Sequence, residues 1–166
     1  EGVLARLLQT DIPLLHPLLD QREEKEIAVL VISSDTGLCG SYNQALIAEA
    51  QRFPVTRAKA PLLIGVGKNG VNALTRSGQI WHKTFTDTKT SQMESVITEN
   101  TSLIETLFTT RKVDAIYAVY SHFTGRSTYR ATTEKILPFQ FEPAAQKIPG
   151  ETGSPYIMEP SREALF

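Results

Sequence analysis

The 166-residue sequence contains one cysteine, Cys39, which excludes an internal disulfide framework and any Cys-x-x-Cys zinc site and suits a reducing compartment. No stretch approaches the roughly 18 consecutive apolar residues that a membrane-spanning helix needs. An excess of one charge is also missing: 17 Lys+Arg face 18 Asp+Glu, a net charge of −1, and neutralising phosphates takes a dominant basic patch, so a nucleic-acid binder is not expected. No Gly-x-x-x-x-Gly-Lys-Ser/Thr occurs, so the chain has no triphosphate-cradling loop and should not hydrolyse ATP alone. The first residue is Glu1 and nothing after it reads as a secretion leader, so the start reads as cut. What is present is enough for one domain: 41% of residues are hydrophobic, and a chain of this size buries about 68–70% of its unfolded surface.

Val3, Leu4, Leu7 and Leu8 have helical spacing until Pro13 and Pro17 interrupt, so residues 1–20 read as the remnant of a helix and an irregular lead-in. The charged run Gln21–Glu26 reads as a solvated connector. It precedes Ile27–Ser33, an aliphatic run that fits a strand covered on both faces, hence a parallel sheet. Ser34–Gly40 is a turn by composition, Ser41–Phe53 a helix with Leu46, Ile47 and Ala50 on one face, and Pro54 its stop. The pattern repeats as strand 61–66, helix 68–76 and strand 79–85. Ser91 and Glu94 have capping-box spacing and open a helix to about Arg111, with Met93, Val96, Ile97, Ile104, Leu107 and Phe108 in one apolar stripe. Strands are expected at 113–120 and 129–137, a loop at 142–153, a short apolar segment at Tyr156–Met158 and a helix start at 161–166. Strands and helices alternating at this spacing predict an α/β fold, a Rossmann-like open and mostly parallel sheet flanked by helices in three layers, over residues 21–160.

Three constellations could carry chemistry. Gly65-Val66-Gly67-Lys68-Asn69-Gly70 is a Gly-x-Gly-x-x-Gly between a strand and a helix, and Asp87 follows the next strand, where a dinucleotide fold places its ribose-binding carboxylate. The glycines would let backbone approach a pyrophosphate at a helix N-terminus, or else simply make a tight turn. Cys39 lies near a helix start, where the dipole could lower a thiol pKa, and His122 could approach it as a base; the other reading is a small buried apolar side chain. His16, His82 and His122 have no metal-ligand spacing. Arg126, Arg130 and Lys135 beside Tyr129 read as a solvated face.

The segment Ser34-Asp35-Thr36-Gly37-Leu38-Cys39-Gly40-Ser41-Tyr42-Asn43 resembles the Ser-Asp-Arg-Gly-Leu-Cys-Gly-x-x-Asn motif of the gamma subunit of F-type rotary ATP synthases. Further stretches fall in the family's order: Ile64–Gly70 is similar to its strand-Gly-x-Lys-Gly turn, Ile136-Leu137-Pro138 to its Leu-Leu-Pro, and Tyr156–Pro160 with Ala164-Leu165 to its Tyr-x-x-Glu-Pro segment. The resemblance implies a non-catalytic central-stalk domain without cofactors or metal, peripheral on the cytoplasmic side of an energy-transducing membrane. It also implies long flanking helices that enter the alpha/beta catalytic hexamer, a contact with the epsilon subunit, and a foot resting on the membrane ring of c subunits. Ser34, Asp35, Gly37, Leu38, Cys39, Gly40 and Asn43 are then structural motif residues, and Tyr156 and Glu159 the candidate contacts to epsilon and the ring. Two departures stand out: Thr36 replaces the family's usual Arg, and the family's two long helices are represented only by remnants at Glu1–Gln9 and Ser161–Phe166; the cysteine-bearing insertion of chloroplast relatives is also lacking, so thiol regulation of that kind is not expected.

Overall fold

In the computed structural model the described residues are 16–37, 42–55, 59–125 and 128–140. Residues 1–15 of the expected helix remnant and lead-in over 1–20, the expected loop at 142–153, Tyr156–Met158 and the helix start at 161–166 lie outside them.

Five strands form one sheet in the order β3-β2-β1-β4-β5: β1 Ile27–Ile32, β2 Leu62–Val66, β3 Trp81–Phe85, β4 Ala115–Gly125 and β5 Thr128–Leu137. The first four are parallel and β5 is antiparallel to β4, so the mostly parallel sheet expected from sequence is the one observed. The aliphatic run of β1 occupies the centre because only a strand paired on both edges and covered on both faces buries successive side chains as Ile27–Val31 are buried here. Alternate side chains then serve two cores. Val29 and Val31 pack with Leu63 and Val119 beneath Leu46 and Ala50 of α1 (Tyr42–Val55) and Leu74 of α2 (Lys68–Arg76). Ala28 and Leu30 pack with Ile64, Phe85, Ile116 and Leu137 beneath Leu107 and Phe108 of α3 (Met93–Thr109). Helices on both faces make the three layers.

The predicted apolar stripe of α3 is only half used. Leu107 and Phe108 are buried, whereas Met93 and Ile97 are 45% and 58% exposed. The helix begins beside the edge strand β3, where Glu99 pairs with Lys83 at 2.7 Å, and reaches the sheet centre only in its last turns. Nor does Ser91 cap it: Ser91 lies in a 3-10 turn, Thr90–Gln92, closed by Gln92 Oε1 accepting the Lys89 N–H at 3.3 Å.

Gln21–Glu26 is not a solvated connector. Asp114, just before β4, accepts the Lys25 and Glu26 N–H groups at 3.1 and 2.9 Å, so a carboxylate ties this segment to the N-terminal edge of the sheet. The Arg22 guanidinium lies 4.2 Å over the Phe108 ring and donates to the Phe108 carbonyl at 2.8 Å, a second bond to an acceptor that also takes the Arg111 N–H at 3.1 Å where α3 ends. Glu24 accepts the Tyr117 hydroxyl at 2.8 Å and pairs with Lys135 at 2.8 Å, so Lys135 is a paired, largely buried side chain rather than part of a solvated basic face.

β4 runs five residues beyond the expected end, to Gly125. Past Val119, which still pairs with Val31, its partner is β5 alone, and the two strands continue as a ribbon beyond the end of β1. Sequence alone missed this extension because His122, Phe123 and Thr124 are exposed and lack the aliphatic signature of the core strands.

Phe108→Ala should lower unfolding free energy by about 3–5 kcal/mol, since the ring is fully buried and carries the Arg22 contact; urea denaturation measures it. On the ribbon, the Tyr120 hydroxyl donates to Glu134 Oε2 at 2.7 Å, a bond that holds the phenol pKa above its ordinary value. The unfolded chain therefore releases this proton first, and the bond's contribution fades as pH rises through the ordinary tyrosine range. Glu134→Gln should bring the Tyr120 pKa down, as read by NMR titration of its ring carbon.

Candidate functional site

The loops after β1, β2 and β3 meet at the C-terminal edge of the sheet, and the start of α2 sits among them. A helix start presents N–H groups without intrahelical partners, and beside buried strands they need acceptors from the protein. Ser33, the residue that closes β1, supplies one: its Oγ accepts the Gly70 N–H at 2.9 Å and lies 2.9 and 3.1 Å from the carbonyl oxygens of Gly67 and Val66. The Ser34 carbonyl accepts the Asn69 N–H at 3.1 Å. Asp35 Oδ1 accepts the Lys68 N–H at 2.8 Å and the Asp87 N–H at 3.1 Å, and Oδ2 accepts the Thr88 N–H at 3.2 Å. The Gly67 N–H goes to the Phe85 carbonyl at 2.9 Å.

Two asparagines lock the same loop. Asn43, at the start of α1, accepts the Ser34 N–H at 3.2 Å through Oδ1 and donates to Ser34 Oγ at 2.8 Å through Nδ2. Asn69 Nδ2 donates to the Ser34 and Thr36 carbonyls at 2.9 and 2.7 Å. Lys68 Nζ reaches Asp87 Oδ1 at 2.9 Å, and Asp87 has φ 54°, a left-handed conformation that Asp tolerates better than most residues.

This geometry decides the reading of the Gly-x-Gly-x-x-Gly turn. The glycines face inward, toward protein, instead of clearing a path for a ligand. A Cβ on Gly65 would stand 2.6 Å from Val71 and 2.8 Å from Trp81; on Gly67, 2.1 Å from the Ser33 carbonyl oxygen; on Gly70, 2.7 Å from Ser33 Oγ. The N–H groups of residues 67–70 that would receive a pyrophosphate are all bonded to protein acceptors. Asp87, the expected ribose carboxylate, is paired with Lys68 instead. The dinucleotide expectation for Gly65, Gly67, Gly70 and Asp87 is therefore corrected: these residues form a tight strand-to-helix turn.

The topology points the same way. In such sheets a ligand crevice opens where the strand order reverses, here between β1 and β4. The β4–β5 ribbon continues past that point, and Tyr129 of β5 meets Tyr42, the first residue of α1, edge-on at 5.3 Å. The Phe123 ring packs against Tyr129 at a tilt of 59°, with centroids 5.5 Å apart.

Of the motif residues expected from sequence, Ser34, Asp35 and Asn43 come together in this junction. Gly37 is exposed and has nothing within 4 Å of an added Cβ, so no close approach requires a glycine there. Leu38, Cys39 and Gly40, and with them the thiol reading, lie outside the described residues, as do Arg126, Tyr156 and Glu159. His16 accepts the Leu18 N–H at 3.3 Å through Nδ1, His82 is exposed on the edge strand, and His122 lies on the ribbon opposite Arg130. Among the described residues, no three His, Cys, Asp or Glu side chains are placed to hold a metal, and no helix is long and apolar enough to cross a membrane. Sequence reasoning missed Ser33 and Asn69; the signal for Ser33 was a hydroxyl closing an otherwise aliphatic run.

Comparison with known proteins gives a consistent picture. A family model described as ATP synthase matches residues 1–166. Among curated proteins, the ATP synthase gamma chain of Sulfurihydrogenibium sp. is 31% identical over 91% of this chain and 53% of its own length. That of Fusobacterium nucleatum is 30% identical over 91% and 52%. The chain spans about half the length of the curated relatives it matches. Among solved structures, the Tetrahymena thermophila mitochondrial ATP synthase central stalk and c-ring structure contains a chain that aligns with TM-score 0.58 and 23% identity, covering 72% of this chain and 52% of that one. The rotor of the Euglena gracilis enzyme aligns with TM-score 0.51 and 20% identity, over 82% and 51%. At these identities the structural likeness establishes the fold.

Two glycines give a controlled test of the junction. Gly67 and Gly78 have nearly the same φ, 90° and 89°, but a Cβ on Gly78 meets nothing within 4 Å. Gly78→Ala should cost about 1–2 kcal/mol, the left-handed penalty alone. Gly67→Ala should cost clearly more, because its ψ of 133° lies outside the left-handed helical region and the Ser33 carbonyl must also move. Chemical denaturation of both variants would contradict the packing argument if the losses were equal.

Proposed function

The chain belongs to the ATP synthase gamma-chain family, and on that premise we propose that it is the globular part of a non-catalytic rotor subunit in the central stalk of an F-type ATP synthase. The observation that carries the proposal is the family match along all 166 residues, joined to a junction whose polar groups are used for holding strands together. In this reading rotation of an ion-driven c-ring passes through this domain to the shaft, and the catalytic alpha/beta hexamer makes or hydrolyses ATP. The subunit is peripheral, on the cytoplasmic side of the energy-transducing membrane, and meets the bilayer only through protein partners. Its neighbours are the epsilon subunit and the c-ring.

A part that passes torque must not deform under it. Close packing of the aliphatic strands resists compression, and the junction ties three strand ends and a helix start to one another, which supports a stiff foot. Tyr156 and Glu159 are proposed as the contacts to epsilon and the ring: a tyrosine supplies rigid contact area, and a carboxylate can pair with polar loops. Thr36, exposed here, offers no guanidinium to such contacts.

Two measurements test the proposal. The chain should co-elute with its cognate epsilon subunit in size-exclusion chromatography and give no heat of binding with NAD or NADP at millimolar concentration. Separate elution together with cofactor binding would overturn it. In the assembled enzyme, Tyr156→Ala combined with Glu159→Gln should lower ATP-driven ion pumping several-fold while ATP hydrolysis persists; unchanged coupling would remove these two residues from the interface.

A further inference from the structure

The junction holds a negative charge in a particular place. Asp35 comes from the loop after β1, yet its two oxygens take N–H groups from two other elements: Lys68 at the first residue of α2, and Asp87 and Thr88 in the loop after β3. Three N–H groups converging on one carboxylate, with the positive end of a helix dipole behind one of them, are the surroundings in which proteins seat small oxyanions. Asp35 and Thr88 are half-buried while Lys68 and Asp87 are exposed, so the seat opens to solvent on one side. Asp87, held by this bond through its N–H and by Lys68 through its side chain, is one of two non-glycine residues with positive φ among the described residues.

We propose that Asp35 is a built-in anion: its carboxylate occupies an oxyanion seat formed by the first N–H of α2 and the Asp87 and Thr88 N–H groups of the loop after β3, closes that seat to free oxyanions, and clips the ends of β1 and β3 to the start of α2. Two consequences follow. Losing the carboxylate leaves three N–H groups in a cradle without their acceptor, so a small free oxyanion should enter and take the same bonds. Neutralising it without changing its shape should fail as a substitute, because an amide places a donor where one of the N–H groups needs an acceptor.

The test is chemical rescue in the full chain. Asp35→Ala and the unaltered protein are titrated with sodium formate and with inorganic phosphate against sodium chloride of equal ionic strength. The Lys68, Asp87 and Thr88 amide signals are followed by NMR, together with the thermal midpoint. In Asp35→Ala the three amides should shift saturably and the midpoint should rise with formate at least several-fold more than in the unaltered protein. Equal responses in the two proteins overturn the proposal. If Asp35→Ala is unfolded in chloride, recovery of folding in formate supports the proposal, and no recovery in either oxyanion overturns it. Asp35→Asn supplies a second reading: it should unfold at a lower midpoint than the unaltered protein, and an unchanged midpoint overturns the claim that the carboxylate is required.

Discussion

A helix that starts against the ends of buried strands must find acceptors for N–H groups that water cannot reach freely, and in this protein Ser33, Ser34 and Asp35 provide them. The rest of the C-terminal edge follows from that requirement. Because Ser33 Oγ must touch the Gly70 N–H, residues 67 and 70 have no room for a Cβ, and the turn is glycine-rich for packing reasons. Because Asp35 must reach both α2 and the loop after β3, Asp87 sits in a left-handed conformation beside Lys68. Ser33 thus accounts for Gly67 and Gly70, and the Val71 and Trp81 side chains for Gly65, in a glycine pattern that resembles a nucleotide fingerprint.

The opposite edge solves the same problem with different residues. Asp114 accepts two backbone N–H groups from the segment entering β1, Arg22 serves the last turn of α3, and Glu24 joins Tyr117 to Lys135. Charged side chains in Gln21–Glu26 therefore work as ties between elements. Both edges of the parallel strands are held by side chains whose partners lie far away in sequence, which stiffens the sheet in the direction that aliphatic packing alone leaves least constrained.

The sequence made the fold readable where one element's periodicity is enough to decide it. The aliphatic run at 27–32 had to be a central strand, and strand-helix alternation after it left few topologies. The ribbon was not readable, since His122, Phe123 and Thr124 carry no core pattern, and neither was the half-exposed start of α3, because a stripe shows which face can be buried but not how far the sheet extends beneath it. At the site, Ser34, Asp35 and Asn43 were visible through their motif, but the partners of Asp35 were not. They lie 33, 52 and 53 residues away, and only pairing of β1 with β2 and β2 with β3 brings them together. The same distance explains why Gly-x-Gly-x-x-Gly suggests a ligand in sequence and reveals a packing device in three dimensions.

The central claim is that the turn at 67–70 is closed by the protein's own acceptors. Native-state hydrogen exchange of the free protein addresses it most directly. With no nucleotide or phosphate present, the Gly70 amide, whose bond to Ser33 is buried, should exchange as slowly as those of strand β1, and the more exposed Lys68 and Asn69 amides should be protected as well. Fast exchange of these three amides in the free protein, slowed only when a dinucleotide is added, would contradict the account.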